Sequence, residues 1–112
     1  MSNTLDFNKI KKKYLTVTFA DEQNTTIMIG TPTKGVMDEL MSLQETFDTL
    51  SDDASAEITN ELYDVCAKVM SRNKTNKKIE KEYLEKVFDF EDITIFFNAY
   101  MEFITALSAV KN

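Results

Sequence analysis

Asp89, Glu91 and Asp92 crowd three carboxylates into the stretch DFED. Close acids of this kind can exchange protons with a substrate or hold calcium. Their order lacks the spacing and the glycine of an EF-hand, and an apolar run follows immediately. An N-cap with further acids in the first helical turn, where the helix dipole favours negative charge, is therefore the reading adopted. Cys66 is the one cysteine, so no intrachain disulfide can form, and its apolar helical surroundings read as core. The chain has no histidine, which removes the commonest general base, nucleophile activator and transition-metal ligand. One cysteine without histidine cannot build a structural zinc site of the usual ligands. Gly30 and Gly35 lack the surroundings of a phosphate-cradling loop. A serine nucleophile would need a lysine base, and no local signature marks one. The expectation is a protein that is not an enzyme and that uses no cofactor and no metal.

With catalysis set aside, the totals bound what remains. The 112 residues suffice for one core, and 43% hydrophobic residues with only two glycines and one proline argue against disorder. A formal charge of −6 opposes binding to a phosphate backbone, so no nucleic acid is expected as partner. No segment approaches the roughly 18 unbroken apolar residues of a membrane span, and MSNTLDFNKIKKKYL has no apolar stretch of a signal peptide. No membrane association is expected, and the cytoplasm is the expected compartment.

Residues 1–13 read as a flexible basic arm ending in KIKKK, and 14–112 as a single domain. From Tyr14 the period is two: Leu15, Val17 and Phe19 share one face, and Ile27 and Ile29 share another after the polar loop Asp21 to Asn24. The pair predicts a β-hairpin. Such a hairpin is marginal alone and must pack on other elements. Its outer edges also offer unpaired backbone groups, to be covered by the chain itself or used in weak self-association, as dimers or as rings.

Thr31-Pro32 predicts a helix start, with Thr31 as N-cap. Val36, Leu40, Leu43, Phe47 and Leu50 then form a helical stripe, with Met37 and Met41 on its flank as either a core margin or an adaptable contact surface. After a break at Ser51 to Asp53, Ile58, Leu62, Val65 and Val69 mark a second helix. SRNKTNKK reads as a solvated connection, and Glu80 to Phe88 as a short helix. The last helix carries Ile93, Phe96, Phe97, Tyr100, Ile104 and Leu107 centrally, flanked by Ile95, Ala99, Phe103, Ala106 and Val110 on one side and Met101 on the other. Its apolar arc spans roughly 240°, well beyond one buried face. Either this helix lies centrally or part of it meets a partner. The predicted class is α+β, mainly α: an N-terminal β-hairpin packed on a three- or four-helix bundle, with the last helix most buried.

Two stretches carry a family resemblance: YLTVTFADEQNTTIMIGTPTKGVMDEL and ELYDVCAKVMSRNKTNKKIEKEYLEKVFDFEDITIFFNAYMEFI, above all its part DFEDITIFFNAYMEFI, an acidic cap before an aromatic helix. Together with length, acidity and the order of hairpin then helices, they resemble a tail assembly chaperone of a long-tailed phage or prophage of Gram-positive bacteria. The resemblance implies a protein that binds the tape measure protein and keeps it soluble in the host cytoplasm. Tail tube protein then polymerises around that client, and the chaperone is not retained in the mature virion. It further implies a frameshifted longer form of the chain, which the adenine-rich codons of Lys111 and Asn112 would permit. No short binding motif transfers. Phe96, Phe97, Tyr100 and Phe103, with Met37 and Met41 behind them, are the partner-binding candidates on physical grounds. Two rival readings are a small acidic phage inhibitor or regulator that mimics nucleic acid, and a structural tail component.

Overall fold

A computed structural model of the chain describes residues 5–7, 12–49 and 56–109. The expected break at Ser51 to Asp53, Leu50, Val110 and the chain end at Lys111 and Asn112 lie outside the described residues, as does most of the expected arm. Strand β1 (Leu15–Thr18) and strand β2 (Thr26–Ile29) form an antiparallel pair in which Leu15 faces Ile29 and Val17 faces Ile27. The alternation of apolar and polar residues thus lands as expected: Ile27 and Ile29 are buried, Thr16 and Thr18 exposed. The turn is built by Asp21, whose carboxylate accepts the Thr25 amide at 2.9 Å and the Thr25 hydroxyl at 2.7 Å. Asn24 takes φ 49°, a left-handed conformation that asparagine tolerates.

Four helices follow: α1 (Lys34–Thr49), α2 (Ala56–Met70), α3 (Lys81–Val87) and α4 (Phe90–Ala109). The architecture is the α+β, mainly helical arrangement that the sequence predicts. Helix α1 starts later than the Thr31 cap would place it. Its first turn closes from the Met37 amide to the Thr33 carbonyl at 2.8 Å. The physical reason is that the preceding residues are held by other elements: Gly30 donates to the Arg72 carbonyl at 3.3 Å, and the Thr31 carbonyl accepts from Arg72 Nε at 3.4 Å.

The central helix is α2, not α4. It packs against α1, α3, α4 and β2, and Leu62, Tyr63, Val65, Cys66, Ala67, Val69 and Met70 are all buried. Helix α4 buries Ile93, Phe96, Phe97, Tyr100, Met101 and Ile104 but leaves Ile95, Ala99 and Ala106 exposed. The wide apolar arc therefore exceeds the buried face, because small alanines and one isoleucine extend it onto the surface. Phe19 joins the hairpin to α3 through ring contacts with Tyr83 and Phe88, at 5.7 and 5.4 Å between centroids. Each large side chain so enclosed contributes on the order of 1.5–3 kcal/mol, which holds the otherwise marginal hairpin in place.

The connection SRNKTNKK is more than a solvated turn. Asn73 is buried; its Nδ2 donates to the Met70 and Lys77 carbonyls at 2.8 and 2.6 Å, and its Oδ1 accepts the Lys77 amide at 2.9 Å. This side chain folds the loop against β2, where Lys74 donates to the Met28 carbonyl at 2.9 Å. One of the hairpin's two edges is thereby covered by the chain itself.

Candidate functional site

The acidic stretch at the start of α4 is a reciprocal cap. The Asp92 amide donates to Asp89 Oδ1 at 2.8 Å, and the Asp89 amide donates to Asp92 Oδ2 at 3.2 Å. This is the capping-box pattern built with aspartates, and it accounts for both carboxylates by helix initiation. Among the described residues, no group of three or more His, Cys, Asp or Glu is close enough to hold a metal ion. No described helix is long and apolar enough to cross a membrane. Cys66 is fully enclosed, and burial pushes its thiol pKa up, which suppresses the thiolate needed for nucleophilic chemistry.

The partner-binding candidates divide. Phe96, Phe97 and Tyr100 are buried in the core. Phe97 packs on Phe47 of α1 at 6.0 Å, and Phe96 stacks with Tyr100 at 5.8 Å between centroids. These three rings are engaged in core packing, and Phe96 in addition reaches the floor of a surface groove. Phe103 is half-buried against Tyr100, at 6.0 Å between centroids. Met37 is half-buried beside the core, while Met41 is 54% exposed. Met37 and Met41 lie four residues apart on α1, so they form one apolar step on its flank, with exposed Asp38 and Glu45 nearby in sequence.

A second surface lies between β1 and the first half of α4. It is a groove of about 310 Å³ whose apolar lining includes Val17, Val87, Phe88, Phe96 and Ala99, together with Ile95, which is 60% exposed. The periodicity of α4 places Ile95 and Ala99 on its flank, but only the position of β1 beside them turns that flank into a groove. Alternation within β1 also fixes which backbone groups border it. The Phe19 amide donates inward to the Thr25 carbonyl at 2.7 Å, so Val17 and Leu15 face β2 and the N–H and C=O of Thr16 and Thr18 point outward. Among the described residues, nothing bonds to those outward groups.

A third, polar recess of about 440 Å³ is lined by Lys12, Tyr14, Arg72 and Lys74 among others. Lys74 Nζ lies 5.6 Å above the Tyr14 ring, and Arg72 is committed to Thr31, so these cations strap the loop to the hairpin. No protein-family model, curated protein or solved structure matches the chain.

Proposed function

We propose that this protein is a tail assembly chaperone that binds a tape measure protein in the cytoplasm of a bacterial host and leaves before the virion is complete. The observation that supports this reading is the apolar step of Met37 and Met41 on a chain of net charge −6. A long client with exposed apolar helix aggregates by hydrophobic association. A partner that covers part of that helix while adding soluble negative charge opposes this. Methionine suits the task, because its flexible thioether adapts to successive, non-identical segments of a helical client. The half-buried Phe103 adds a second contact from α4. Nothing in this role needs a nucleotide, a metal or a nucleophile.

Co-expression with a candidate tape measure protein tests the proposal. The client is expected in the soluble fraction only with the chaperone, and the complex is expected to survive high salt, which would dissolve a nucleic-acid mimic from a basic groove. Met41→Asp is expected to weaken capture by about tenfold while leaving the fold intact, since Met41 is largely exposed. A client that is equally soluble without the chaperone overturns the reading. Detection of the chain in purified virions would instead favour a structural tail component.

A further inference from the structure

We infer that this protein forms a closed dimer in which β1 of one copy pairs antiparallel with β1 of a second copy, across the groove that β1 shares with α4. The occupant is a second copy for three reasons that the structure supplies independently of the chaperone reading.

The first is the edge itself. Thr16 and Thr18 present outward N–H and C=O groups with no partner among the described residues, and alternate backbone groups of this kind are the template for strand addition. With Val17 of each copy on the two-fold axis, Thr16 lies opposite the partner's Thr18, and each such pair closes reciprocal N–H···O=C bonds.

The second is charge. The residues before β1 are basic and those after it acidic: exposed Lys12 and Lys13 precede the strand, and Asp21 and exposed Glu22 follow it. Antiparallel self-pairing in this register brings the basic end of one strand, Lys12 and Lys13, toward the acidic turn of the partner at Asp21 and Glu22. Parallel pairing would instead place lysine beside lysine. A register shifted by one residue would turn the partner's Leu15 and Val17 toward water. In the proposed register those two side chains continue the inward face and cover Ile95 and Ala99, which the isolated copy leaves exposed.

The third is closure. The outer edge of β2 is occupied, because Lys74 donates to Met28 and Gly30 donates to Arg72. With one free edge per copy, strand pairing is isologous and stops at two; head-to-tail rings through the sheet are excluded.

Sedimentation of the full chain over a range of concentrations, combined with hydrogen exchange, tests this. The expected result is a monomer–dimer equilibrium in which the Thr16 and Thr18 amides become protected as concentration rises. Glu22→Lys alone, and Lys12→Glu with Lys13→Glu alone, are each expected to raise the dissociation constant by about tenfold, and an equimolar mixture of the two variants is expected to restore pairing. Thr16→Pro removes an outward N–H without breaking a bond to β2 and is expected to give monomer. A strictly monomeric wild type, or a dimer indifferent to all these changes, overturns the inference. So does protection of Thr16 and Thr18 that is independent of concentration, which would mean that the chain's own residues cover the edge.

Discussion

The Tyr100 hydroxyl donates to the Gly30 carbonyl at 2.7 Å, joining the middle of α4 to the residue that follows β2. Gly30 spends its amide on Arg72 and its carbonyl on Tyr100, so the end of the hairpin is held from two sides. Burial pushes the Tyr100 phenol up to about 12, which keeps it a neutral donor across the physiological range. Tyr63 acts similarly, donating to the Phe88 carbonyl at 2.7 Å between α3 and α4.

Tyr100→Phe keeps the ring but deprives the half-buried Gly30 carbonyl of its donor. The expected loss is about 1–2 kcal/mol, seen as a lower urea midpoint at unchanged slope. Tyr100→Ala, which also opens a cavity, is expected to cost about 3–5 kcal/mol. Equal effects for the two variants would mean that the hydrogen bond, not the ring, carries the contribution.

Asp21 gives the fold an acid-sensitive point. The Tyr83 hydroxyl donates to its Oδ2 at 2.6 Å, and with the Thr25 amide and hydroxyl this lowers the carboxyl from its ordinary 3.8 to about 2. A depressed carboxylate contributes stability that is fully present above its unfolded pKa and is lost as pH falls through the folded value. The contribution is therefore expected to disappear between about pH 4 and pH 2. The stability difference between wild type and Asp21→Asn should shrink in that window, and Tyr83→Phe should raise the Asp21 titration midpoint followed by NMR. An unmoved midpoint would remove Tyr83 as the main cause.

The hairpin and its buried face, the core stripe of α1 and the acidic cap of α4 were legible because each rests on local spacing: period two in Leu15, Val17, Ile27 and Ile29, helical spacing in Leu40 and Leu43, and Asp89 three residues before Asp92. What spacing could not convey was which helix would be central. The arc of α4 is wider than that of α2, yet α2 is surrounded on more sides because α1, α3, α4 and β2 all pack against it. For the same reason Phe96, Phe97 and Tyr100 stood both in the central stripe and among the partner-binding candidates, since a wheel ranks residues around one axis and says nothing of what lies opposite. Asn73 was hidden for another reason. In a basic, polar octapeptide one asparagine looks like its neighbours, and only the loop's closure makes it an interior group.

Cys66 is expected to be inert in the folded protein. Its side chain is fully buried and its thiol is pushed well above the ordinary thiol range by that burial. A thiol-specific disulfide reagent in excess should label it only at the rate of structural opening, and mild urea should accelerate labelling. Cys66→Ser places a hydroxyl in the same apolar position and is expected to lower stability by about 1–3 kcal/mol. Rapid labelling in native buffer would show that the space around α2 opens far more readily than its packing implies.

Asn73 is where the loop after α2 can be unfastened without touching the hydrophobic core. Its amide nitrogen serves two carbonyls, Met70 and Lys77, and its oxygen serves the Lys77 amide and the Thr75 hydroxyl at 3.0 Å. Asn73→Asp keeps the shape and the accepting oxygen but turns a carboxylate oxygen toward two carbonyls that had donors. The expected loss is about 3 kcal/mol near neutral pH, partly recovered as the new carboxyl protonates in acid. Because the same loop covers the outer edge of β2, the Lys74 and Gly30 amides are expected to lose exchange protection before the helices do. The uncovered edge would then give each hairpin two free sides, so light scattering of the variant should show species larger than a dimer where the wild type shows none. Protection of Lys74 and Gly30 that matches wild type in the variant would mean that Arg72 and its bond to Thr31 hold the loop on their own.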